Sequence, residues 1–144
     1  MVMSLTKSRR RKTLQLTGTA LGALVLTVAT SGAAQANPMQ AECSTTGAYG
    51  YVYSDWYGSD TRIDFSMTFT DMLADGHHVR ARLVTTDVNN VRKNWPWHYN
   101  YGGNNTSVDV NSYATNSSGI FNWGIQVARY EGDTYLNSCT NWIV

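Results

Sequence analysis

The sequence predicts a small all-β domain: an antiparallel β-sandwich of about six or seven strands closed by one disulfide. Three observations predict it. Apolar and polar residues alternate with period two in several separate stretches. Clusters of Gly, Asn, Asp and Ser divide those stretches at short intervals. Two cysteines, Cys43 and Cys139, stand near the two ends of the part of the chain that alternates. Alternation of this kind sends successive side chains to opposite faces of a pleated strand, so that one face packs and the other meets water. No stretch sustains the 3.6-residue period of an amphipathic helix, although Asp71 to Asp75 would fit one helical turn. A small β-barrel satisfies the same pattern and is the alternative.

Residues 1–36 read as an export signal. Lys7, Arg9, Arg10, Arg11 and Lys12 precede an apolar stretch from Leu14 to about Ala29, and Ala34-Gln35-Ala36 has the form of a cleavage site. Thr17, Thr19 and Thr27 interrupt the apolar stretch, which argues for cleavage over a membrane anchor. Ser8-Arg9-Arg10 resembles a twin-arginine signal, but Thr13 stands where that signal has an aromatic, which favours the general secretory route. Residues 37–144 then form one domain. Five of the eleven Lys and Arg lie in the leader and all ten Asp and Glu lie after it, leaving six cations against ten acids, a net charge of −4. That balance offers no electrostatic footprint for nucleic acid or for an anionic membrane. Both cysteines survive cleavage, and an oxidising compartment permits their pairing. The first and last strands then lie beside each other or face across a core.

The strands follow in order. Tyr49, Tyr51 and Tyr53 suggest the first. In Asp60 to Asp71, Ile63, Phe65, Met67 and Phe69 alternate with Arg62, Asp64, Ser66 and Thr68. From His77 to Val88, Val79, Ala81 and Leu83 point inward and Arg80 and Arg82 outward. Phe121, Trp123, Ile125 and Val127 repeat the inward pattern. Val108 and Val110 mark a short strand, and Tyr135 to Val144 the last. Turns fall at Asp75-Gly76, Asn89-Asn90, Gly102 to Asn105 and Asn116 to Gly119, and Gly132-Asp133 fits a tight hairpin.

The segment Ala74-Asp75-Gly76-His77-His78-Val79-Arg80-Ala81-Arg82-Leu83 resembles the Asp-Gly-His start of a strand in small secreted proteins of filamentous actinobacteria. The leader and the late cysteine suit that group. The resemblance implies a compact β-sandwich and brings no catalytic residue with it.

Candidate chemistry is sparse. His77 and His78 are neighbours, so on a strand they face opposite ways and do not share a metal. His77 is expected to bond Asp75 at the turn. No zinc spacing and no G-x-S-x-G elbow is present. Small microbial ribonucleases use Glu, His and Arg, but here Glu42 abuts Cys43, Glu131 lies at a hairpin turn and His98 lies among aromatics. The ten acids allow a glycosidase pair on paper, yet they stand mostly at turns or on outward faces. Asp87-Val-Asn89-Asn90, and Asp55 with Asp60, offer oxygens for calcium, but turn chemistry accounts for them. No catalytic residue, metal or cofactor is expected.

The aromatics are the remaining signal. In Asn94-Trp-Pro-Trp-His-Tyr-Asn-Tyr-Gly-Gly103, an extended chain places Trp95, Trp97, Tyr99 and Tyr101 on one face and Pro96, His98 and Asn100 on the other. Pro96 lacks an N–H and so marks a sheet margin. Core packing is the preferred reading of the ladder as a whole; a ligand-stacking face is its rival. Trp56-Tyr57, set between Asp55 and Gly58, is expected to expose at least one ring. Trp56, Tyr57, Trp95, Trp97, Tyr99 and Tyr101 are therefore the candidate ligand-binding residues. The sequence-level expectation is a secreted, monomeric, non-catalytic protein that recognises an extracellular polysaccharide or another secreted protein. The alternatives are an inhibitor or partner of a secreted protein and a small secreted hydrolase or ribonuclease.

Overall fold

A computed structural model describes residues 39–55 and 61–143, all within the compact unit Ala34–Val144. The expected export signal, residues 1–36, and the pair Trp56-Tyr57 lie outside the described residues. The described residues form nine strands in two antiparallel sheets, with no helix and without closing into a barrel. One sheet has the order β1 (Met39–Thr45), β2 (Ala48–Ser54), β3 (Arg62–Asp71), β7 (Ser107–Thr115). The other runs β4 (His78–Thr86), β8 (Asn122–Glu131), β9 (Thr134–Trp142), with β5 (Arg92–Asn94) and β6 (His98–Asn100) both paired to the free side of β4.

Period-two burial builds the core. Ile63, Met67 and Phe69 from β3, Val79, Ala81 and Leu83 from β4, and Trp123, Ile125 and Val127 from β8 meet between the sheets. Phe121 does not join them: it precedes β8 and is exposed. Ile120 is buried in its place. On β2 the tyrosines point outward, and Ala48 and Val52 pack inward. Two strands exceed the expected number. β1 hides its pattern behind small inward residues, Ala41 and Cys43, and β5 is only three residues long. Asp71 to Asp75 forms no helical turn; β3 runs to Asp71, whose carboxylate accepts the Leu73 N–H. The Gly132-Asp133 hairpin is present, and Gly132 takes a φ of 57°, where a side chain is disfavoured.

Cys43 on β1 and Cys139 on β9 form a disulfide that joins the two sheets, with Cα atoms 5.9 Å apart and a sequence separation of 96. Asn141 Nδ2 donates to Glu42 O at 2.8 Å, and Asn137 Nδ2 to Thr46 O at 3.3 Å. The side chains of β9 thus cover one backbone carbonyl of β1, at a sheet edge that would otherwise invite another strand, and one in the turn that follows it. Replacing both cysteines by serine is expected to lower unfolding stability by ~2–5 kcal/mol, because a loop of this size restricts the unfolded chain strongly. Urea unfolding followed by tryptophan fluorescence checks this, and reduced wild type should match the variant.

Candidate functional site

The ladder Trp95 to Tyr101 does not share one face, and a bulge is the reason. Asn94 pairs with Val84, and Trp95 N donates to Leu83 O at 3.1 Å. His98 then pairs with Ala81. Three edge residues, 95–97, therefore oppose two on β4, and the extra residue reverses the alternation. Trp95 falls on the Leu83 side, packs against the core, and donates Nε1–H to Thr85 Oγ1 at 3.1 Å. Beyond the bulge Trp97, Tyr99 and Tyr101 turn outward with Arg82, Arg80 and His78 of β4. His98 and Asn100 turn inward. The preference for core packing holds for Trp95 and fails for the other three.

The outer face of the β4 sheet consequently carries a second, partly covered layer of rings and cations. The Arg80 guanidinium lies 3.9 Å from the Tyr130 ring centroid and 4.8 Å from that of Tyr99. Arg82 lies 4.1 Å from the Trp97 ring, and Tyr99 stacks on Tyr101 at 5.7 Å. His78 sits 4.6 Å from Tyr101 and 6.0 Å from Tyr130, and it accepts a 2.8 Å hydrogen bond from Arg80 Nε. The face remains open at Tyr99, Tyr101 and Tyr135, of which Tyr101 is 71% exposed. The small residues Ala128, Ser138 and Thr140 of β8 and β9 share this face, between the tyrosine end and Trp142. Gly124 completes that end, because a Cβ there would run into the Asn141 carbonyl.

Asn100, buried at 2% exposure, fixes where Tyr101 stands. Its Nδ2 donates to Thr106 O at 2.8 Å, while its Oδ1 accepts from Gly102 N and Thr106 Oγ1, both at 3.0 Å. The loop after β6 is thus tied by one amide, and the exposed ring next to it has a firm base. The sequence places Asn100 on the ladder opposite the rings; its inward turn and its hydrogen bonds reveal the role.

Charge is divided between the sheets. Of the six Lys and Arg after residue 37, Arg80, Arg82, Arg92 and Lys93 belong to β4 and β5. The outer face of the β1–β2–β3–β7 sheet instead carries Glu42, Asp64 and Asp109. A cleft of about 580 Å³ on that sheet runs between Tyr53 and Tyr113, but its cation, Arg62, is already paired with Asp64 at 2.6 Å. A smaller cleft of about 240 Å³ lies between the sheets, where His98 and Trp95 meet Phe65 and Tyr113.

The expected turn-edge role of His77 is present: its Nδ1 is 3.2 Å from Asp75 Oδ1, and the Asp75 carboxylate accepts the His77 N–H at 3.1 Å. The fold also brings Arg129 and Glu131 to this turn, with His77 Nε2 3.7 Å from Glu131 Oε2. This assembles Glu, His and Arg, the residue types of acid–base phosphoryl cleavage, but Asp75 ion-pairs with Arg129 and occupies its guanidinium. Asp87 accepts the Asn89 and Val91 N–H groups at 2.8 and 2.9 Å, as turn chemistry predicts. Among the described residues no group of three or more His, Cys, Asp or Glu is placed to hold a metal ion, and no helix is long and apolar enough to cross a membrane. Comparison of the chain with protein-family models, with curated proteins and with solved structures finds no match.

Burial, reinforced by the Arg80 charge, lowers the His78 pKa below the ordinary histidine value, and burial also lowers that of His98. The unfolded chain binds protons at these sites more readily than the folded one. Their contribution to stability is complete above ~6.5 and is lost as pH falls through the folded values. Thermal melts should therefore show Tm falling between about pH 7 and about pH 5, before most carboxylates titrate. The double variant His78→Gln/His98→Gln should flatten that slope; Gln at 78 keeps an acceptor for Arg80.

Proposed function

We propose that this is an exported, non-catalytic recognition domain that binds polysaccharide across the outer face of its β4 sheet. The outward turn of Trp97, Tyr99 and Tyr101 carries the proposal. Trp97, Tyr99 and Tyr101 line the edge of this face, with Tyr101 71% exposed, and the Arg82 and Asn94 side chains beside them supply hydrogen-bond donors. Sugar rings match such a surface, with C–H groups against the aromatic faces and hydroxyls toward the polar side chains. The rings are pre-set: Arg80 and Arg82 lie against them and Asn100 ties the loop beyond, so little side-chain order remains to be lost on binding. The leader sequence and the disulfide support an extracellular setting, where polymers are the abundant ligands.

A panel of neutral and acidic polysaccharides cast into native gels tests this. At least one member should retard the protein. Trp97→Ala and Tyr101→Ala should each weaken retardation about tenfold or more, in line with loss of a stacking ring. Tyr101→Ala should lower Tm less than Trp97→Ala, because the Tyr101 ring is largely in solvent. If no polymer retards the wild type, or if both variants bind normally, the face is not a glycan site.

A further inference from the structure

We infer that the polysaccharide is a polyanion carrying carboxylates, held by a pair of guanidinium groups, Arg82 and Arg92, at the tryptophan end of the face. The inference rests on the glycan reading above and adds the ligand's charge. Arg82 Nε donates to Gln126 Oε1 at 2.8 Å, and an Nη of Arg92 reaches the same oxygen at 3.3 Å. Two cations thus converge on one neutral amide oxygen. Neither has an ion-pair partner among the described residues, whereas Arg62, Arg80 and Arg129 each have one. Arg82 sits partly buried beside Arg92, and both burial and the neighbouring charge disfavour its charged form.

Like charges held together in a partly desolvated setting cost stability unless an anion relieves them. A domain with four more acids than cations after residue 37 had acids available to neutralise the pair, yet none of the described acids pairs with it, and Glu42, Asp64 and Asp109 lie on the opposite sheet's outer face. The pair is flanked by rings, with Arg82 against Trp97 and Arg92 5.6 Å from the Trp142 centroid. A planar guanidinium fork matches a carboxylate's two oxygens, and the rings beside it match a sugar. A chain of acidic sugars meets both demands together. It would run from the tyrosine end toward the arginine pair, displacing the Gln126 amide with a carboxylate oxygen.

Polygalacturonate and its fully methyl-esterified counterpart provide the test, since esterification removes the charge and keeps the sugar. Affinity should be at least tenfold higher for the acid form, and the gap should narrow as salt is raised. Arg92→Gln and Arg82→Gln should each reduce binding to the acid polymer about tenfold and leave binding to the ester nearly unchanged. Arg92→Gln guards against misfolding of the more buried Arg82 variant, and Arg62→Gln on the other sheet should change nothing. Equal binding of acid and ester, with insensitive arginine variants, would overturn the inference while the glycan reading stands. Absence of binding to any polysaccharide would overturn both. Tighter binding to a single-stranded oligonucleotide or to polyaspartate than to the polyuronate would show that charge alone, and not acidic sugar, is recognised.

Discussion

One extra residue in the strand beside β4 determines what this molecule can present to its surroundings. Without the bulge at residues 95–97, all four rings of the ladder would follow Trp95 to the inner side of the sheet. With it, one tryptophan seals the open edge of the sandwich and three rings pass to the outer face. The bulge sits where the backbone tolerates it. Pro96 cannot donate to a ladder, and the edge position leaves only one neighbour, β4, whose hydrogen bonds need to be re-registered. The local defect therefore costs little, and its effect on side-chain direction extends to Tyr101.

The outward rings then solve a second problem, posed by β4. Its outward residues include His78, Arg80 and Arg82, and in a simple sandwich these would be solvated. Here Tyr99, Tyr101 and Tyr130 close over them, so that His78 and Arg80 are nearly as buried as core residues. Arg80 keeps its charge partnered by Asp133 at 3.1 Å and by two ring faces. Cation–π contacts of this kind are worth ~0.5–1 kcal/mol when exposed and more when dry. Among the described residues, Arg82 and Arg92 share the ring environment with no carboxylate paired to them. The face is thus graded, satisfied at one end and electrostatically incomplete at the other.

Much of the fold is legible in the sequence because burial imposes alternation residue by residue. Ile63 to Phe69, Val79 to Leu83 and Trp123 to Val127 all declare their inward side, and the cysteine pair declares the closure. Phe121 misleads because alternation does not mark where a strand begins. β1 is faint because Ala41 and Cys43 are small. The site is less legible for a specific reason: a bulge has no compositional mark beyond Pro96, and a slip of one residue exchanges the two faces completely. Arg80 and Arg82 read as ordinary solvated cations, since the rings that cover or flank them come from residues 97–101 and from β8, separate stretches of the sequence. The role of Asn100 is equally invisible until its side chain is seen to turn inward.

The seam between β1 and β9 has a mechanical consequence. Cys43 and Cys139 lie almost at the outer limits of the sandwich, on the first and last of its described strands. Tension applied through the flanking chain passes from one sulfur to the other and bypasses the intervening loop of backbone. Of the sandwich, a pulling force can strip only residues 39–42 and 140–143, which lie outside the bridge, and the ring-bearing face stays folded under load for as long as the covalent clamp is intact.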